Sequence, residues 1–179
     1  VNGAQGSGKS TFCAVMSRLL QQDYGLKVVT VSIDDVYLTR AQRTVLGQQI
    51  HPLCRIRGVP GTHDVPLACD VLDALQTIQQ GQSVAVPRFD KAIDDRKPNV
   101  QWDRIEGPVD VILFEGWCVG GPQPPDWTGP INKREHRDDP DGIWVRWSTD
   151  CLKRDYGSLF DRLHALLGIQ VPSMDTVKN

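Results

Sequence analysis

The sequence predicts an α/β fold in which helices flank a mostly parallel central sheet, and three observations predict it. Two continuous apolar runs rich in Val and Ile, residues 26–33 and 109–114, have the composition of strands buried on both faces. Apolar residues at helical spacing fill the stretches after the chain start and between these runs. A glycine-rich turn opens directly onto the first helical stretch. Strands that alternate with helices pair in parallel, because each helix carries the chain back across the sheet before the next strand begins.

Each element has its own signal. Residues 11–22 place Phe12, Val15, Met16, Leu19 and Leu20 on one helical face, and Gly25 follows as a stop. The chain begins at Val1-Asn2, which leaves no room for a strand before the glycine-rich turn. Residues 26–33 form the first buried strand. Residues 66–80 carry Leu67, Val71, Leu72, Leu75 and Ile78 at helical spacing and end at Gly81. Residues 83–86 make a short strand stopped by Pro87. Residues 109–114 are a second central strand. Residues 120–130, dense in Gly and Pro, read as a loop. Residues 144–167 are mostly helical, with a break at Gly157, and residues 168–171 form a last short strand before Pro172.

The chain of 179 residues, 40% hydrophobic and 23% charged, suits one domain spanning 1–179, with both ends cut. A net charge of -2 gives no basic footprint for nucleic acid and no attraction to an anionic membrane. No apolar run approaches the roughly 20 residues of a membrane helix. The five cysteines have no C-x-x-C spacing, so free thiols in a reducing, cytoplasmic compartment are expected. A segment missing from the N-terminal side could hide a targeting signal. The sequence carries no signature of an oligomeric state.

The stretch "GAQGSGKS", Gly3 to Ser10, fits G-x-x-x-x-G-K-[ST] at every fixed position and stands just before an amphipathic helix. Gly3, Gly6 and Gly8 let the backbone turn and aim its N–H groups inward, with Ala4, Gln5 and Ser7 between them. Lys9 supplies charge to the β- and γ-phosphates, Ser10 an oxygen ligand for Mg²⁺, and Thr11 continues into the positive end of the helix. The bland alternative is a glycine-rich helix start with a chance lysine. The pattern implies the P-loop-containing nucleoside triphosphate hydrolase fold, with ATP and Mg²⁺ as cofactors, but it does not name a reaction.

"VDVILFEGW" ends an apolar strand in Glu115-Gly116, where an acidic residue faces the Mg²⁺ beside a phosphate loop. The alternative is a surface glutamate at a strand-to-turn corner. "NKRE", residues 132–135, imitates a guanine-recognition motif, but its fourth residue is Glu and no apolar strand precedes it. A guanine switch is thereby disfavoured.

Glu in place of the Asp of many ATPases and GTPases, followed by Gly, points toward the kinases, and a kinase needs a group to orient the attacking hydroxyl. "SIDDVY" ends the first buried strand on the edge where the phosphate loop lies. Asp35 fits a turn or helix cap, and Asp34 fits one less well. "RGVPGTHD" brings Arg57, two glycines and the His63-Asp64 pair just ahead of a helix, which Asp64 is also placed to cap. "PRFDKAIDDR" carries Arg88, Lys91 and Arg96 after a short strand, a set suited to an anionic substrate or, alternatively, to a solvated loop.

Taken in order, "GAQGSGKST", "VSIDDVYLT", "HPLCRIRGVPGTHD", "VPRFDKAIDDR" and "ILFEGWCVG" resemble the glycerate kinase-like group of phosphate-loop kinases. More distantly they resemble uridine kinase, phosphoribulokinase and pantothenate kinase. The resemblance implies that Asp34 is the base, with Tyr37 beside it, and that Asp90 and Arg96 stand near the substrate. It implies Lys9, Asp34 and Glu115 as the catalytic set, with Ser10 and Glu115 toward the metal. It implies phosphoryl transfer from Mg-ATP to a hydroxyl of a small acceptor, with D-glycerate the named expectation. A nucleoside, pantothenate, a sugar phosphate, or a switch module without an acceptor are the alternatives. One departure is "REHRDDPDGIWVRW", which stands where uridine kinases carry a lid strand and an arginine-rich helix.

Overall fold

Four parallel strands come together at the centre of the computed structural model, which describes residues 1–122, 125–126 and 128–171. Strand β1 is Asn2–Gly3 and β2 is Val28–Ser32. The next three, β3 (Ser83–Val86), β4 (Phe89–Asp90) and β5 (Asp95–Arg96), precede β6 (Asp103–Glu106), β7 (Val111–Glu115) and β8 (Gly168–Ile169). β2 pairs in parallel with β7, and Ser32 lies opposite Glu115. β1 pairs in parallel with β8 and bridges to Gly116, just past β7. Gly116 N–H donates to the Val1 carbonyl at 3.0 Å, which closes the order β2-β7-β1-β8. The expectation of no room for an opening strand is therefore corrected: two residues suffice, because β7 and β8 hold them from both sides.

The helices are α1 (Lys9–Tyr24), α2 (Arg40–Gln49), α3 (Val65–Thr77), α4 (Lys133–Asp138), α5 (Ile143–Asp155) and α6 (Gly157–Phe160). α3 buries Val65, Ala68, Val71, Leu72 and Leu75 against Val29, Val31, Phe114 and the α6 residue Leu159. Each of these Val and Leu side chains contributes roughly 1.5–3 kcal/mol on burial. α1 ends at Gly25, whose φ of 66° is the left-handed cap that stops a helix. All five cysteines are free and buried, and no described helix is long and apolar enough to cross a membrane.

Several sequence expectations change. Parallel pairing is confined to β1, β2, β7 and β8 among the described strands. β3 pairs antiparallel with β6, and β4 with β5, so a hairpin stands beside the parallel strands. The second strand stops at Ser32, because the Ser32 hydroxyl accepts the Asp34 N–H and starts a 3₁₀ turn over Ile33–Val36. Gly157 opens α6 rather than merely breaking a long helix, and residues 161–167 are not helical. α2 carries few apolar residues and gave no periodic signal; its Thr39–Gln42 capping box supplies the start instead. Part of the loop expected at 120–130, and Pro172, lie outside the described residues.

Candidate active site

A cleft of about 970 Å³ opens where the parallel strands end. Its floor comes from the turn after β1, from Ser32 and Asp34 after β2, and from Glu115 and Gly116 at the end of β7. This is where ligand sites form in parallel α/β sheets. The parallel register carries the argument: Ser32 and Glu115 are opposite each other, so their loops share one rim.

The glycine-rich turn has a backbone that only its sequence permits. Gly6 and Gly8 have φ of 77° and 86°, where an L side chain is strained. A Cβ on Gly3 would stand 2.6 Å from Ser7 Oγ, which is buried and unpartnered among the described residues. Lys9 Nζ donates to the Ala4 carbonyl at 2.9 Å and so lies back across the turn. Ser10 Oγ donates to Glu115 Oε1 at 3.2 Å. The hydroxyl and the carboxylate thus converge from two elements 105 residues apart. Among the described residues no cluster of three or more His, Cys, Asp or Glu could hold a metal alone. A hydroxyl and one carboxylate suit a cation that takes its remaining oxygens from phosphate and water. Gln5 lines the cleft too, whereas Thr11 is exposed on α1.

The opposite wall belongs to Asp34, Tyr37, the segment 55–58, and the β4–β5 hairpin through Lys91 and Asp94. Lys91 Nζ donates to Asp34 Oδ2 at 2.7 Å. Burial, then the Asp34 charge and a hydrogen bond to it, push the Tyr37 phenol far above its ordinary range, so Tyr37 stays a donor. Asp94 has φ 55°, the left-handed backbone that Asp tolerates at a hairpin tip. Burial would raise its carboxyl, but hydrogen bonds from Arg43 and Arg57 and their charges hold it below the ordinary carboxylate range. Arg43 is fully buried and satisfied: it donates to the Leu38, Arg55 and Asp94 carbonyls and to Asp94 Oδ2. It ties α2, the 51–58 segment and the hairpin to one point. Trp117 Nε1 donates to the Gly58 carbonyl at 2.9 Å and joins the loop after β7 to the same segment.

Five residues expected at the substrate stand elsewhere, each for a physical reason. Arg88 ion-pairs with Asp35 at 2.7 Å and with Asp103 at 2.8 Å. Asp35 is therefore no cap: it fastens the hairpin, accepting from Arg88 and from the Phe89 N–H. Arg96 ion-pairs with Asp64 at 2.9 Å, and Asp64 also caps α3 by accepting the Leu67 N–H. Asp90 accepts the Ala92 N–H and shapes the hairpin turn. His63 is 5% exposed, stacks on Tyr37 at 4.4 Å and meets the Tyr156 hydroxyl at 2.7 Å. Burial lowers its pKa to about 3, against a weaker opposing pull from Asp34, so it is neutral near pH 7. Conversely, Arg43, Arg55, Asp94 and Trp117 went unassigned in the sequence. Trp117 inside "ILFEGWCVG", Arg55 inside "HPLCRIRGVPGTHD" and Asp94 inside "VPRFDKAIDDR" lay in quoted motifs, and Arg43 in none.

Such a site, at the carboxyl ends of parallel strands with a glycine-rich turn before a helix, has the layout of a ligand site in an α/β protein. Known proteins narrow the class. The chain is 36% identical over 123 residues to the chloroplastic D-glycerate 3-kinase of Arabidopsis thaliana, covering 65% of this chain and 27% of that protein. It is 36% identical over 130 residues to a probable ATP-dependent kinase, TDA10, of Saccharomyces cerevisiae, covering 66% of this chain and 44% of that one. A solved structure of a D-glycerate 3-kinase from Cryptococcus neoformans var. grubii is similar with a TM-score of 0.76 and 29% identity, covering 98% of this chain and 64% of that one. No protein-family model matches. The chain is thus similar, over part of their length, to proteins named D-glycerate 3-kinase and ATP-dependent kinase. The chain spans less than half the length of these two curated relatives.

Proposed function

We propose that the chain is the P-loop kinase domain of an ATP-dependent enzyme that phosphorylates a hydroxyl of a small anionic acceptor, with D-glycerate as the first candidate. The observation that carries the reading is the shared cleft: Lys9, the Ser10–Glu115 pair and Asp34 face one space at the ends of adjacent parallel strands. The relatives named D-glycerate 3-kinase support the acceptor, and the one named ATP-dependent kinase supports the donor.

In this reading Lys9 and the amides of residues 3–10 hold the β- and γ-phosphates and spread the charge that develops on the transferred group. Ser10 and Glu115 would hold Mg²⁺, which would neutralise charge on the phosphates. Asp34 accepts the proton of the acceptor hydroxyl as its oxygen bonds to the γ-phosphorus and the bond to ADP breaks. Tyr37 and Lys91 keep the Asp34 carboxylate in place. The protein then contributes position and fixed charge, which suffices for a loose phosphoryl-transfer transition state. The test is ADP release from the full-length protein over a panel of hydroxy acids, nucleosides and pantothenate. Release that depends on a hydroxy acid is expected; no acceptor-dependent release from any member sinks the proposal.

A further inference from the structure

We infer that Arg55 binds the anionic group of the acceptor and so sets its charge specificity. The inference rests on the kinase reading above and names a contact which that reading leaves open. Four cations line the cleft: Lys9, Arg55, Arg57 and Lys91. Lys9 belongs to the phosphate loop. Arg57 is ion-paired with Asp94, and Lys91 with Asp34. An anion arriving at either of these two meets a carboxylate already in contact. Among the described residues the Arg55 side chain has no ion pair and no hydrogen bond, so its donors face the cleft unshared.

Arg55 is also held by its surroundings. It ends a 3₁₀ turn over Pro52–Arg55, and its carbonyl accepts from the buried Arg43 at 2.7 Å. Its stem crosses α2 at Gly47, where a Cβ would stand 2.2 Å from Arg55 Cγ and 2.8 Å from Nε. Gly47 lies in the interior of α2 and is buried, although glycine disfavours a helix there. The close approach of the Arg55 stem is the reason for it. A seated stem removes much of the rotamer freedom that a long cation otherwise loses on binding, and a planar guanidinium meets a carboxylate or phosphate with two parallel hydrogen bonds.

Steady-state kinetics with full-length protein, Mg-ATP and D-glycerate test this. Arg55→Met keeps the stem on Gly47 and removes the charge. Its KM for D-glycerate is expected to rise roughly 10- to 100-fold, as loss of a charged hydrogen-bonding partner implies. kcat and the KM for ATP should move far less. Gly47→Ala should also raise the KM for D-glycerate, yet add nothing in the Arg55→Met background; a merely structural Gly47 would weaken both backgrounds alike. Calorimetric titration of D-glycerate reads the contact apart from turnover. Unchanged KM and unchanged calorimetric affinity in Arg55→Met overturn the role of Arg55 and leave the kinase proposal standing. Binding of D-glycerate that Arg55→Met abolishes, in a protein that phosphorylates nothing, keeps Arg55 and overturns the kinase proposal. An unmutated protein that binds neither D-glycerate nor inorganic phosphate overturns the inference.

Discussion

At the end of the cleft proposed to hold phosphate, eight contiguous residues supply the glycine-rich turn, the lysine and the hydroxyl, and one remote carboxylate completes the set. At the opposite end, the lining comes from three separated segments, residues 34–37, 55–58 and 91–94, and Arg43 pins the last two to Leu38, which follows the first. The first end depends on local backbone geometry, which glycine dictates. The second depends on which charges find each other in space. Four cations that look equivalent in the sequence, Arg57, Arg88, Lys91 and Arg96, all end in ion pairs, and only Arg57 and Lys91 do so inside the cleft.

The largest expected effect probes the acceptor end. Asp34→Asn should lower turnover roughly 10²- to 10⁴-fold, the range of a general base, while ATP affinity at the phosphate-loop end stays nearly intact. Parallel loss of nucleotide binding, read by titration with a fluorescent ATP analogue, would show that the two ends are not separable in this way. Next comes the pin. Arg43→Leu strips a buried charge from three carbonyls and Asp94 and should destabilise the fold by about 3 kcal/mol in urea unfolding. A stable Arg43→Leu protein with normal kinetics would mean that the acceptor wall holds itself together without it.

A smaller effect depends on pH. His63 has a folded pKa near 3 against an ordinary 6.5, so the unfolded chain binds its proton first as the pH drops. Its contribution is fully present above about pH 6.5 and declines toward pH 3, by at most ~1.4 kcal/mol per pH unit. His63→Gln should flatten that part of the stability profile; an identical slope in both proteins would rule His63 out as its source. The smallest effect separates fastening from binding. Arg88→Gln should cost about 1 kcal/mol of stability, since Arg88 and its partners are partly solvated, and leave the KM for the acceptor unchanged. A large rise in that KM would return Arg88 to the binding set.

The sequence by itself determined the α/β alternation, the glycine-rich turn before a helix and the strand ending in Glu115, because each is written in contiguous residues through their spacing or composition. It also singled out Asp34 over Asp35 through the resemblance, although the cap it expected at Asp35 was wrong. Tertiary structure decided the rest. Asp35 and Arg88, 53 residues apart, fasten a hairpin rather than serve a ligand or a cap. His63 and Asp64, adjacent in the chain, part into a buried aromatic stack and a helix cap. Arg43 and Gly47, in a helix with little periodic signal, hold the acceptor wall and make room for Arg55. The physical reason is common to all of these. A charge in a loop declares that it needs a partner, and only the folded chain shows whether that partner is another residue or is left for a ligand.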